Sequence, residues 1–167
     1  LRRQRQMCIR DRLDDVNVIV IPRINPDGSY LFTRSTYQGF DMNRDHMALK
    51  APELAYLHTA YQYFMPEVVM DGHEFTFYGV TEDGYMKNAD DMQSTPASSL
   101  NNDPLVNQLA EEAVDGLHKN ATDSGLRVYH YGTTVNNPIG RAYYGLYNSI
   151  SILVAVSYTH LTLPTKA

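Results

Sequence analysis

Residues 67–74 read Glu67-Val68-Val69-Met70-Asp71-Gly72-His73-Glu74, and the fold turns on them. Glu67 to Met70 is a short apolar run of strand length, and a polar cluster, Asp71 to Glu74, stands at its end. Pro66 separates this strand from a preceding helix. That helix opens at Pro52 and Glu53, residues suited to a first turn. Leu54, Leu57, Tyr61 and Phe64 follow at helical spacing and share one face.

The same alternation extends in both directions. Upstream, residues 16–21 (VNVIVI) form a β-branched apolar run ended by Pro22, which predicts a buried strand. Residues 22–48 are polar and rich in Gly, Asn, Asp and Arg, as in a long loop. Downstream, residues 75–102 predict a second long loop. Asp103 and Pro104 open another helix, with Leu105, Leu109, Ala113 and Leu117 on one stripe. A strand over 127–131, a loop over 133–140, a short helix over 141–148 and a strand over 149–154 (SISILV) complete the series. Strands alternating with helices predict an α/β fold of three layers, a mostly parallel or mixed central sheet flanked by helices. Ligands bind such sheets beyond the C-terminal ends of the strands, and the clusters at 22–48 and 71–74 both fall there.

Composition narrows the function classes. The chain has 167 residues, 43% hydrophobic and 20% charged, which fits a globular domain. It contains no apolar stretch approaching the roughly 18 residues of a membrane span. With 14 basic against 19 acidic residues, the net charge of -5 argues against a general nucleic-acid binder. A single cysteine excludes an intrachain disulfide framework and a cysteine-rich zinc site.

The ends stand apart. Residues 1–12 hold Arg2, Arg3, Arg5, Arg10 and Arg12 without the apolar stretch of a signal peptide. Residues 156–167 share no periodicity with what precedes them. Both resemble translated adapter sequence and are expected to be non-native tails around a partial domain at 13–155. A basic tail and a fraying C-terminus are the alternative. Taking the five arginines and Lys166 from the 14 basic residues, and Asp11 from the 19 acidic ones, leaves 8 against 18, or -10.

Two clusters carry candidate chemistry. Arg34, Asn43 and Arg44 place two guanidiniums and an amide near one strand end, a set that suits a carboxylate. The alternative is a solvated loop held by salt bridges to Asp27, Asp41 and Asp45. His73, flanked by carboxylates, suits a metal ligand oriented by a neighbouring acid, or else a structural or exposed histidine. His46, His58, His118 and His130 read as structural or merely exposed.

In their order and strand context, Asn25-Pro26-Asp27-Gly28, Arg34, Gly39-Phe40-Asp41-Met42-Asn43-Arg44 and His73 resemble the zinc carboxypeptidase family, the carboxypeptidase A/B type. The resemblance runs through most of residues 16–154, and residues 140–154 resemble the closing helix and strand of the catalytic domain. It implies hydrolysis of C-terminal peptide bonds by zinc-activated water, with two histidines and a glutamate on one zinc ion. His73 matches the third zinc ligand. Arg34 matches the arginine that polarises the scissile carbonyl and stabilises the oxyanion. Asn43 and Arg44 match the pair that holds the substrate's C-terminal carboxylate. Tyr131 is the best match by spacing for the family's mobile active-site tyrosine, ahead of Tyr143 and Tyr144. The implied partner is a peptide or peptide-like substrate with a free C-terminal carboxylate, and the implied location is secreted or periplasmic.

The chain also departs from the pattern. No HxxE motif precedes Asn25, and Ala155 stands where the family's catalytic glutamate ends the final strand. Both missing elements are expected to lie outside this chain, so the chain by itself is expected to be inactive. Asp71 and Glu74 replace the small polar residues found around this histidine in digestive members. Two alternatives share the same residues: a related zinc amidohydrolase acting on acyl-amino acids or cell-wall peptides, and a non-enzymatic carboxylate-binding domain. His73 is expected at the C-terminal end of a central strand, in one cleft with Arg34 and Arg44.

Overall fold

The computed structural model describes residues 13–75, 90–97, 99–132 and 138–157. Among these residues four strands form one mixed sheet: β1 (Val68–Phe75), β2 (Met92–Pro96), β3 (Val128–His130) and β4 (Ile150–Ser157). Their order is β1-β4-β2-β3. β1 and β4 are parallel, β2 and β4 antiparallel, and β2 and β3 parallel. β4 is therefore central. Ser151, Ile152, Leu153 and Ala155 are all buried, because a strand with neighbours on both edges and helices over both faces has no solvent side.

Among the described residues four α-helices are complete: α1 (Pro26–Leu31), α2 (Pro52–Phe64), α3 (Pro104–Asp123) and α4 (Gly140–Leu146). Side chains alternate between faces along a strand. Ile150, Ile152 and Val154 of β4 pack with Ala110 and Val114 of α3. Val69 of β1 packs on Tyr61 of α2 and on Tyr143 and Tyr144 of α4. Val69 pairs with Ser151 and so lies on the opposite face from Ile150 and Ile152. The architecture is α/β with helices on both sides of the sheet, the three layers predicted from the alternation. A third cluster of Met42, Ala51 and Leu54, with Phe40 and Leu57 against it, fixes the start of α2 to the loop before it. Truncating the fully buried Leu54 to alanine would cost about 2–5 kcal/mol.

The structure corrects several local expectations. Residues 16–21 are exposed and form no strand: Val18 is 61% and Val20 73% exposed. A β-branched run becomes a strand only beside a partner, and it pairs with none of the described strands. β1 continues through Phe75, so His73 lies inside the strand, and β1 is an edge strand of the described sheet. The polar 22–48 stretch contains α1, and Asn25-Pro26-Asp27-Gly28 is its N-terminus. The Asn25 side chain accepts the Gly28 N–H at 2.9 Å and Pro26 occupies the first turn. A Cβ on Gly28 would fall 2.6 Å from the Thr33 carbonyl oxygen, so only glycine fits. The expected 75–102 loop contains β2, whose polar sequence MQSTP hid a nearly buried strand. On α2 the inward residues include His58, while Phe64 is 52% exposed. On α3 the sheet is met by Ala110, Val114 and Ala121, and Leu105 is 59% exposed. The inward face is thus offset from the expected stripe, and Ala110 and Val114 on it pack against Ile152 of β4. The N-terminal tail, residues 1–12, lies outside the described residues. β4 runs to Ser157, two residues past the expected domain boundary.

Candidate functional site

Asp71 and His73 are two residues apart on β1 and so share a face. The burial pattern shows it: Val69, Asp71, His73 and Phe75 are half-buried, while Val68, Met70, Gly72 and Glu74 are exposed. Of the two carboxylates flanking the histidine in sequence, only Asp71 reaches it. Its Oδ2 lies 3.0 Å from His73 Nε2. Asn43 Nδ2 approaches the same nitrogen at 3.4 Å. One nitrogen cannot donate to Asp71 and accept from Asn43, and the shorter, charge-assisted contact decides. His73 Nε2 thus carries the proton, and the Nδ1 lone pair is left for another partner.

Asn43 sits in a 3-10 turn, Met42–Arg44, capped by Asp41, whose Oδ1 accepts the Asn43 N–H at 3.0 Å. The other oxygen of Asp41 accepts from Arg34 Nε at 2.8 Å. One carboxylate therefore holds both Arg34 and the turn that presents Asn43. Asn43 Oδ1 accepts the backbone N–H of Gly140 at 2.9 Å, which fixes the amide with its nitrogen toward His73. Arg44 is exposed and donates from Nη1 to the Asn43 carbonyl at 2.8 Å. Short bonds so link Arg34, Asn43 and Arg44 through Asp41 and the turn, and the Asn43 amide brings this group to within 3.4 Å of His73 Nε2. The Arg34–Asp41 pair is also one of the salt bridges of the solvated-loop alternative, and the Arg34 side chain is 60% exposed.

Tyr131 is bonded through its N–H to the Ser94 carbonyl at 2.9 Å and is 42% exposed. Its ring faces Arg141, whose Cζ lies 5.7 Å from the centroid. Tyr143 and Tyr144 are core residues instead. Tyr143 stacks on His58 with centroids 3.9 Å apart. Burial first, then the nearby Asp71 charge, raises the Tyr144 phenol.

Behind the site lies a pair that sequence reasoning read as structural and unconnected. His46 Nδ1 and His58 Nε2 are 2.9 Å apart, and both residues are buried. Burial, reinforced by His58, lowers His46 from 6.5 to about 4, and burial lowers His58 as well. Both rings are therefore neutral, one donating and one accepting. A Cβ on Gly140 would lie 2.9 Å from Asp71 Oδ2 and 3.0 Å from His46 Nε2, so these two groups converge on the start of α4. The 12-residue separation of His46 and His58 carries no periodic signal that would have paired them. Arg141 is a second residue that the sequence did not single out; burial lowers its pKa.

His73 fits one position of a metal site, since a carboxylate on one ring nitrogen orients the other toward a metal. Among the described residues no group of three His, Cys, Asp or Glu side chains closes around a common point. Ala155, where the family resemblance expects the catalytic glutamate, is the register partner of His73 on β4. A shallow groove of about 210 Å³ between Ile21, Ile24, Tyr56 and Leu57 includes none of the candidate residues.

The chain is similar to fungal proteins over most of its length. It is 34% identical over 119 residues to "Probable carboxypeptidase 2" of Trichophyton verrucosum (strain HKI 0517), covering 69% of this chain and 23% of that protein. It is 34% identical to "Carboxypeptidase 2" of Trichophyton rubrum and 33% identical to that of Trichophyton tonsurans, in each case covering 69% of this chain and 22% of the relative. It thus spans less than a quarter of the length of these curated relatives. No protein-family model and no solved structure matches it. The chain is related to proteins named carboxypeptidase over 69% of its length.

Proposed function

We propose that this chain is part of the catalytic domain of a zinc-dependent carboxypeptidase that removes C-terminal residues from peptides. The observation that carries the reading is the Asn43 side chain, which is bonded to the start of α4, belongs to the arginine-bearing turn and lies 3.4 Å from His73 Nε2, so that all three meet in one site. The similarity to proteins named carboxypeptidase supports it. His73 Nδ1 is the ligand this chain supplies to the metal. Bound zinc supplies a water made acidic enough to ionise near pH 7 and polarises the carbonyl.

The residues of this chain do the rest. Arg44 and Asn43 hold the substrate's terminal carboxylate, because a guanidinium fork and an amide offer paired donors to two oxygens. Arg34 is steadied at Nε by Asp41, which leaves its two terminal nitrogens for the scissile carbonyl oxygen. A donor already fixed there contributes most as negative charge develops on that oxygen. Asp71 keeps the proton on His73 Nε2 and so holds the ring in the tautomer a metal needs. No described helix is long and apolar enough to cross a membrane.

The test is hydrolysis by the full-length protein of a peptide and of the same peptide amidated at its C-terminus. Cleavage of the free acid alone, abolished by a chelator and restored by zinc, is the expected result. Equal treatment of acid and amide rejects an exopeptidase, and cleavage indifferent to chelation rejects the metal.

A further inference from the structure

Arg141 is the second residue of α4 and is 2% exposed. Among the described residues it makes no hydrogen bond and no ion pair. The face of Tyr131 is at cation–π distance, 5.7 Å. Asp71 is near enough to favour the charge and Arg44 near enough to oppose it, but the Asp71 Oδ2 is turned to His73 at 3.0 Å. A guanidinium does not shed its proton to escape burial. A buried charge without a partner is costly, and an aromatic face offsets only part of that cost. Such a group is accounted for when a ligand brings the missing anion.

The position of Arg141 says which anion. Gly140, the residue before it, donates its N–H to Asn43 Oδ1 at 2.9 Å, and Arg44 follows Asn43. Two arginines thus adjoin the two residues of one hydrogen bond, Arg44 next to Asn43 and Arg141 next to Gly140. Arg44 is exposed, and Arg141, buried in the first turn of α4, is near enough for the two charges to oppose each other. A ligand with one carboxylate satisfies one of them. A ligand with two, a few bonds apart, satisfies both.

We propose that Arg141 binds the side-chain carboxylate of the substrate's C-terminal residue, so that the site selects peptides ending in glutamate or aspartate. The inference rests on the carboxypeptidase reading. The α-carboxylate goes to Asn43 and Arg44, and the side chain reaches inward to Arg141. The planar fork of arginine can take both oxygens of that second carboxylate. Glutamine, the same shape without the charge, leaves the guanidinium unpaired.

The experiment uses the full-length protein and three peptides alike except at the end: one terminating in glutamate, one in glutamine, and the glutamate peptide amidated at its C-terminus. The expected result is a kcat/KM for glutamate about 10- to 100-fold above that for glutamine, the factor one charge-assisted hydrogen bond supplies. Arg141→Gln should level the two, and Arg141→Lys should keep part of the difference. Circular dichroism checks that both variants fold. If neither folds, the glutamate-to-glutamine ratio of the unmodified protein decides. If no free acid is cleaved, the carboxypeptidase reading fails and this inference with it. If acids are cleaved and glutamate and glutamine are alike, the inference alone is overturned. It is also overturned if Arg141→Gln erases the discrimination of acid from amide and leaves the glutamate preference, since Arg141 would then read the α-carboxylate.

Discussion

Asn43 Oδ1 accepts the backbone N–H of Gly140 across 97 residues of chain at 2.9 Å. This bond ties the arginine-bearing turn to α4 and orients the amide nitrogen toward His73. Asn43→Leu should destabilise the fold by about 1–3 kcal/mol, because the Gly140 N–H loses its acceptor away from water. Urea denaturation measures the loss; an unchanged midpoint would show that the bond is replaced by solvent.

Gly140 itself tolerates no side chain without movement. A methyl there would lie 2.9 Å from Asp71 Oδ2 and 3.0 Å from His46 Nε2. Gly140→Ala should cost about 1–3 kcal/mol through crowding and push Asp71 away from His73. The His73 ring resonances, followed by nuclear magnetic resonance, should show the Nε2 proton less strongly held. Wild-type resonances in a fully stable variant would refute the crowding.

The His46–His58 pair gives stability a pH dependence. His46 titrates at about 4 in the fold and near 6.5 in a model peptide. Between those values the unfolded chain binds more protons than the folded one, so stability falls as the pH drops through that window. His58 shifts in the same direction. The His46 contribution is present above pH 6.5 and is lost on acidification toward pH 4, with a ceiling of about 3 kcal/mol. Unfolding free energies measured from pH 7.5 to 4 should slope downward in the wild type and less steeply in His46→Gln. Equal slopes would remove His46 from the account.

Arg34 and Arg44 should fail differently in the full-length protein. In the proposed site Arg44 would meet a carboxylate that is charged before reaction, so Arg44→Ala should raise KM and weaken the preference for a free C-terminus, by about 1.5–3 kcal/mol per charged hydrogen bond lost. On the same proposal Arg34 would meet an oxygen that becomes negative during reaction, so Arg34→Ala should lower kcat by roughly 10²–10³-fold. Steady-state constants on acid and amide substrates separate the two. Identical profiles would dissolve the division of roles.

The 167-residue chain alone, supplied with zinc, should show no metal-dependent peptide hydrolysis. Among the described residues one imidazole stands ready for a metal where a catalytic zinc site needs three protein ligands. Turnover that follows added zinc would mean that the ligand set is complete within this chain.

The sequence by itself determined the elements that local physics controls. Pro52 and Pro66 bound α2, the apolar run at 149–154 marks β4, and Asp71-Gly72-His73 follows an apolar strand start. The ordered motifs from Asn25 to His73 carried the family resemblance. Their bonding was not legible, because hydrogen bonds between distant residues leave no periodic trace. Only the tertiary structure selected Asp71 over Glu74, since it carries the strand through Phe75, and on a strand Asp71 shares the face of His73 while Glu74 takes the other. Only it joined His46 to His58 and left Arg141 buried beside Tyr131. Residues 16–21 and 92–96 show the same limit from both sides. The first has strand composition and no partner; the second has polar composition and becomes a strand because β3 and β4 pair with it. Strand formation is a property of a pair, and a linear sequence specifies only one member at a time.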